Sequence, residues 1–282
     1  MKIIADKNEM RAWSLAQKCA GHSVGFAPTM GALHEGHLSL VREAVKRDDV
    51  SVMSIFVNPA QFAPHEDFNQ YPRTFEDDAG QAEALGVDVV YAPRTDDMYP
   101  PDYSTYVTVE QVSDGLCSIT RPHFFRGVAT VVAKLFNVVL PDRAYFGQKD
   151  AQQCAVIKRM VRDLDMPVEI VEMPIIREPD GLAMSSRNQY LTETDRPRAL
   201  ALSRAVFRAQ AMLEAGARDV ATIIAAVREA MADVDIDYIA LVDAETIQPV
   251  ERIEGPITLA VAANVGAARL LDNIKFTPPQ QG

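Results

Sequence analysis

Two imidazoles three positions apart, His34 and His37, follow an apolar stretch and a turn of small residues, with Gly36 between them. Residues 24–28 read as a short strand, residues 29–32 as the turn. An amphipathic helix then starts near Leu33 and carries Leu38, Leu40, Val41, Ala44 and Val45 at the 3/4 spacing of one buried face. Side chains three apart on a helix share a side. A helix N-terminus after a strand presents unpaired N–H groups and positive dipole density, which suit phosphate. Two imidazoles that donate to phosphate oxygens make this a place for a triphosphate. Taken alone, the pair is equally well a packed or solvated one, and the rest of the chain has to decide.

Three further groups carry chemistry. In residues 54–62 an apolar strand runs into Asn58 and Gln61, an amide pair past the carboxyl end of a strand, where open parallel sheets bind ligands. Amides both donate and accept, so the pair suits a hydroxyl and a carboxylate together; loop capping is the alternative. In residues 144–153 a strand ends at Gly147, Lys149 offers a point charge for a polyphosphate, Asp150 an acceptor for ribose hydroxyls, and Gln153 an amide one turn deeper. An N-cap Asp beside a solvated Lys explains the same residues without a ligand. Met184, Ser185, Ser186, Arg187 and Asn188 place two hydroxyls before a guanidinium, a donor-rich clamp for phosphate oxygens or a solvated turn.

The His-x-Gly-His pattern resembles the signature of the nucleotidylyltransferase superfamily. The flanking Pro28-Thr29-Met30-Gly31 and Glu35-Gly36-His37-Leu38, with the other three groups in the same order, are similar to the pantoate–β-alanine ligase family within it. The resemblance covers residues 25–188. It implies ATP-driven condensation of pantoate with β-alanine through a pantoyl adenylate, with Mg²⁺ carried mainly by ATP and no protein-held metal. It assigns ATP to Met30, Gly31, His34, Gly36 and His37, to Gly147, Lys149 and Asp150, to the backbone of Ile176, and to Met184, Ser185, Ser186 and Arg187. It assigns pantoate and β-alanine to Met30, Asn58, Gln61, Val128, Val131, Val132 and Gln153. His34, His37, Lys149 and Arg187 are the catalytic set. The family often carries Glu and an aromatic where this chain has Gln148 and Ala151, changes expected to leave the chemistry alone. A homodimer is implied by the family alone.

Net charge is −11 over 282 residues, which argues against a general nucleic-acid surface but leaves room for a local basic pocket. A hydrophobic content of 48% with 24% charged is that of a soluble globular enzyme. No leader-like apolar segment opens the chain, and the most apolar stretches, 128–140 and 257–271, are interrupted by polar residues, so no membrane span is expected. Cys19, Cys117 and Cys154 lack metal-ligand spacing and read as buried thiols of a cytoplasmic protein. The acidic run Glu76-Asp77-Asp78 reads as a first helical turn complementing the dipole, with Thr74 as N-cap. Three competitors stand: a sibling nucleotidylyltransferase that releases its nucleotidyl product, an aminoacyl-tRNA synthetase fragment, and a nucleotide sensor without catalysis. Acidic charge and the absence of a recognisable tRNA domain disfavour the second. A catalytic-type residue at every motif disfavours the third.

The elements that must position these groups alternate. Helices are expected over 9–20, 33–47, 74–85, 124–140 and 150–164, and strands over 24–28, 50–57, 87–91, 143–146 and 168–171. That is the pattern of a Rossmann-like doubly wound parallel α/β domain. The 124–140 helix carries Val128, Val131, Val132 and Leu135 on one stripe, which serves as core, as pocket wall, or as both. Helices over 195–215 and 220–232 and strands over 236–242, 257–263 and 269–274 then make a smaller α+β domain. The division is placed at 1–176 and 177–282, with residues 184–188 at the connection as a lid over the triphosphate.

Overall fold

The structure, a computed structural model, describes residues 1–64 and 66–279. The chain divides into two units. The first holds Met1–Glu110, Thr120–Gly147 and Val156–Met173; the second holds Gln111–Ile119, Gln148–Ala155 and the chain from Pro174 onward.

Among the described residues, six parallel strands form the sheet of the first unit: β1 (Lys2–Ile4), β2 (Val24–Thr29), β3 (Val50–Ile55), β4 (Val89–Tyr91), β5 (Arg143–Gly147) and β6 (Glu169–Met173). Their order is β1-β4-β3-β2-β5-β6. The chain steps outward from β2 to β4, then returns to lay β5 on the other side of β2, so the strand order reverses between β2 and β5. Open parallel sheets take ligands beyond the carboxyl ends of the strands at such a reversal. The loops that leave β2 and β5 are the ones that hold His34 and Lys149.

Helices cover both faces, which is why β2 and β3 read as near-continuous apolar runs. Successive side chains point oppositely. Ala27 packs with Leu40, Val41 and Ala44 of α2 (Glu35–Arg47) and Ala82 of α3 (Phe75–Ala84). Phe26 meets Phe136 edge to face at 6.4 Å on the other side. Phe136 belongs to α6 (Phe124–Val139), which packs beside α1 (Lys7–Cys19). In chain order, the one-turn helices α4 (Thr95–Met98) and α5 (Cys117–Thr120) come between α3 and α6. Asp6 caps α1 by accepting from the N–H groups of Asn8 and Glu9 at 2.8 and 2.9 Å. Leu140, in the left-handed region at φ 51°, stops α6 just before Pro141.

In the second unit, β7 (Asp235–Asp243), β8 (Ile257–Val265) and β9 (Ala268–Phe276) form an antiparallel sheet in that order. Alanine, leucine and valine of α8 (Arg196–Glu214) and Ile223 and Val227 of α9 (Val220–Ala230) pack on it. Residues 111–119 belong to this unit because of Gln152, at the start of α7 (Ala151–Asp163). Its amide accepts from Cys117 N–H at 3.2 Å and donates to the carbonyls of Val112, Asp114 and Gly115.

The doubly wound parallel sheet and the small α+β partner are as expected, with four corrections. β1 is absent from the sequence reading, because three residues on a sheet edge are too short to show a period. The histidine-bearing helix begins at Glu35 rather than Leu33. Thr74 makes no side-chain cap; its hydroxyl donates to Asp78 instead, at 3.1 Å. Cys117 and Cys154 are buried, but Cys19 is exposed.

Candidate functional site

Beyond β2 the chain turns sharply. Gly31 lies at φ 81° and Ala32 at φ 49°, two successive left-handed residues. A Cβ on Gly31 would stand 2.9 Å from Asp78 Oδ2 and 3.2 Å from Ile55, so both conformation and space ask for glycine here. Asp78 fixes the turn. Its carboxylate, 1% exposed, accepts from the N–H groups of Ala32 and Leu33 at 2.9 and 2.8 Å. An ionised acceptor makes such bonds stronger than neutral ones. The acidic run at 76–78 thus contains one residue that braces the histidine loop, a role its place in the sequence does not show.

His34 is the N-cap of α2, in extended backbone. Its Nδ1 accepts from Gly36 N–H at 3.1 Å, and its carbonyl accepts from the N–H groups of His37 and Leu38. A ring that accepts at Nδ1 carries its neutral-form proton at Nε2, which fixes the tautomer of His34 in that form. The rings of His34 and His37 lie 4.1 Å apart, tilted by 31°. Both imidazoles thus sit at the positive end of a helix dipole, as phosphate recognition requires.

The amide pair divides its labour. Asn58 is 1% exposed. Its Nδ2 donates to Gln61 Oε1 at 3.0 Å and to Gly127 O at 3.1 Å. Its Oδ1 accepts from Tyr99 O–H at 2.8 Å and from Ala60 N–H at 3.3 Å. All four hydrogen bonds of this amide are spent on protein. Asn58 therefore orients Gln61 rather than offering itself to a ligand. Gln61 Nε2 donates one hydrogen to Met30 Sδ at 3.1 Å. Arg121 braces the same loop by pairing with Glu66 at 2.6 Å and donating to Gln61 O at 3.2 Å. Beneath it, α6 approaches backbone to backbone: a Cβ on Gly127 would fall 2.2 Å from Ala60 O. Val128, Val131 and Val132 are 2%, 6% and 4% exposed, as a core stripe requires. Asp78, Tyr99, Gly127 and the Arg121–Glu66 pair are residues of this group that sequence reasoning missed.

A cavity of about 280 Å³ also lies in this unit, lined by Phe56, Phe68, Arg73 and Arg94 among others. It meets the candidate residues only at Met30 and Gly31; His34, His37 and Gln61 do not line it.

The remaining candidates belong to the second unit, except Gly147, which ends β5. A Cβ on Gly147 would meet no atom within 4 Å, so the protein itself does not require glycine there. Lys149 and Asp150 follow in a 3₁₀ turn, Nζ 4.0 Å from Oδ1, with side chains 20% and 45% exposed. Gln153 lies half-buried on the first turn of α7. The stretch 184–188 leaves a short hairpin in which Met184 N–H donates to Ile176 O at 3.0 Å. Ser185 Oγ accepts from Arg187 N–H at 3.3 Å and caps the 3₁₀ turn Ser186–Tyr190; its own hydroxyl proton remains a donor. Asn188 ties the turn down through Glu178 Oε1 at 2.6 Å and Ala183 O at 3.1 Å.

Among the described residues no group of three His, Cys, Asp or Glu is arranged to hold a metal ion. The oxygens of Asp78 serve the backbone of residues 32 and 33, so the 76–78 run supplies no metal cage.

Residues 2–275 match the family model described as pantoate-beta-alanine ligase. The chain is 52% identical over 277 residues to the pantothenate synthetase of Heliobacterium modesticaldum, covering 97% of this chain and 99% of that one. It is 53% identical over 280 residues to that of Thermotoga neapolitana, with the same coverage. Among solved structures, pantothenate synthetase from Thermus thermophilus superposes with a TM-score of 0.92 at 42% identity, over 99% of this chain and 100% of the other. The pantoate-beta-alanine ligase of Francisella tularensis, complexed with beta-gamma ATP and beta-alanine, gives 0.79 at 31% identity over 97% of each chain.

Proposed function

The chain belongs to the pantoate–β-alanine ligase family, whose members are ATP-dependent ligases, and from that premise we propose that it condenses (R)-pantoate with β-alanine in two steps. In the first, a pantoate carboxylate oxygen attacks the α-phosphorus of ATP. The bond from that phosphorus to the bridging oxygen breaks, and pyrophosphate leaves with its electrons. In the second, the amine of β-alanine attacks the acyl carbon of the resulting pantoyl adenylate. AMP departs, one proton is lost from nitrogen, and pantothenate remains.

The observation that carries this reading is the helix N-terminus capped by His34, with His37 beside it, in a chain that matches the family from residue 2 to 275. A carboxylate is a weak nucleophile and must approach a polyanion, so preorganised donors around the phosphates lower the barrier most. We assign that task to His34, His37, Lys149, Ser185, Ser186 and Arg187. The backbone of Met30, Gly31, Gly36, Gly147, Ile176 and Met184 and the carboxylate of Asp150 complete the nucleotide contacts. Gln61 and Gln153 hold pantoate, with Met30 and the Val128, Val131 and Val132 stripe as apolar wall. Asn58 contributes through Gln61. Mg²⁺ enters with the nucleotide, where it neutralises phosphate charge. The amine of β-alanine has an ordinary pKa of about 10 and loses its proton on desolvation or to the departing phosphate oxygens. The enzyme acts in the cytoplasm, as its cysteine pattern suggests, and as a homodimer, as the family resemblance implies.

Incubation with ATP, Mg²⁺, pantoate and β-alanine tests the reading. Pantothenate, AMP and pyrophosphate are expected in equal amounts, and turnover is expected to stop when β-alanine is left out. Sustained turnover without an amine, with release of a nucleotidyl product, would make the protein a sibling nucleotidylyltransferase.

A further inference from the structure

Two adjacent polar residues on the edge strand β9, Asp272 and Asn273, are each only 2% exposed. Burying such groups is costly unless every one is bonded, and a hydrophobic pair would serve stability as well. Their partners are therefore informative. Asn273 donates both hydrogens of its amide to consecutive backbone carbonyls, Gln148 O at 3.0 Å and Lys149 O at 2.9 Å. Its own oxygen accepts from Gln148 Nε2 at 3.2 Å. The amide thus grips the two peptide units that flank Lys149.

Asp272 accepts a two-pronged ion pair from Arg177, at 2.6 and 2.9 Å, and the N–H of Asn273 at 2.8 Å. Arg177 donates also to Gly181 O and stacks over Phe207 of α8 at 4.6 Å. It is the first residue of the hairpin closed by Ala183 and Met184, which runs straight into Ser185, Ser186 and Arg187. Side chains alternate along a strand. Asp272 falls with Leu270 and Ile274, on the face packed in the core with α8. Asn273 falls on the other face. One strand therefore holds the lysine turn from one side and the hairpin before the serine–arginine stretch from the other.

We propose that Asp272 and Asn273 are positioning residues for the nucleotide, fixing the Lys149 turn and the Ser185–Arg187 segment in one frame. This rests on the reading above that those two segments bind the phosphates of ATP. Its consequence is a split between the half-reactions, since adenylation needs the triphosphate contacts and aminolysis of a preformed adenylate does not.

The test compares Asn273→Ala and the isosteric Asp272→Asn with the wild-type full chain. Three quantities are read: pantoate-dependent ATP–pyrophosphate exchange, aminolysis of synthetic pantoyl adenylate by β-alanine, and the directly measured dissociation constant of ATP. For Asn273→Ala, kcat/KM for ATP in exchange is expected to fall roughly 10- to 100-fold, as for a displaced positioning group. ATP binding should weaken with it, while aminolysis stays near wild type. Asp272→Asn should move the same quantities in the same direction. Asn264→Ala, on β8, removes an exposed side-chain bond to Asp235 on the neighbouring strand and should leave both half-reactions unchanged. Equal loss in both half-reactions, or unchanged ATP binding and exchange, would overturn the proposal. If the wild type binds ATP without exchanging pyrophosphate, the reaction assigned above fails, and the ATP dissociation constants still decide the positioning role.

Discussion

At the scale of single residues, charge and donor geometry decide what is worth testing. On the proposed reading, Lys149→Ala and His37→Ala each delete one preorganised donor to the phosphates of ATP. The expected loss in kcat at saturating substrates is on the order of 10²–10³, with thermal melting little changed. A rate close to wild type for either variant would remove that residue from the catalytic set. These candidates stand out in the sequence because chemistry shows in type and spacing: two imidazoles around Gly36, a lysine after a strand end. The residues that hold them were not legible, since their partners are remote in sequence. Asp78 reaches Leu33 across 45 positions, Tyr99 reaches Asn58 across 41, and Asn273 reaches Lys149 across 124. Asn58 shows the converse. Its type drew attention to it, but burial and four protein partners make it the support of Gln61.

At the scale of elements, the contact between α6 and the turn Pro59–Gln61 is the one most exposed to a small change. In Gly127→Ala the new Cβ would meet the backbone of Ala60 and Gln61 at 2.2–2.7 Å, and no flexible side chain is there to yield. Overpacking of this kind costs about 1–3 kcal/mol, measurable by denaturant unfolding. The turn that yields carries Gln61, so KM for pantoate should rise more than KM for ATP. Equal stability with an unchanged pantoate KM would show that the helix and turn separate freely. Period and burial made α6 legible, because a helix apolar on nearly every side is a central one. Element ends were less so. His34 as N-cap, and β1 as an edge strand of Lys2–Ile4, depend on hydrogen bonds rather than on pattern.

At the scale of the whole molecule, alternation of apolar runs gave the doubly wound parallel sheet, while the reversal of strand order between β2 and β5 shows only in the structure. What alternation could not show is that residues 111–119 and 148–155 count with the C-terminal unit. Gln152 and Asn273 bring them there by side-chain bonds to backbone, which carry no sequence period. The net charge of −11 repels polyanions at large, so affinity for a triphosphate has to come from local donors, the role proposed for the four motifs. No described helix is long and apolar enough to cross a membrane. In the proposed reaction a carboxylate attacks ATP to form an adenylate before any amine takes part. Pyrophosphate exchange into ATP, measured with Mg²⁺ and without β-alanine, tests it directly. Exchange that appears only when pantoate is present is the predicted result. Exchange that ignores pantoate, or none at all while pantothenate still forms, would contradict it.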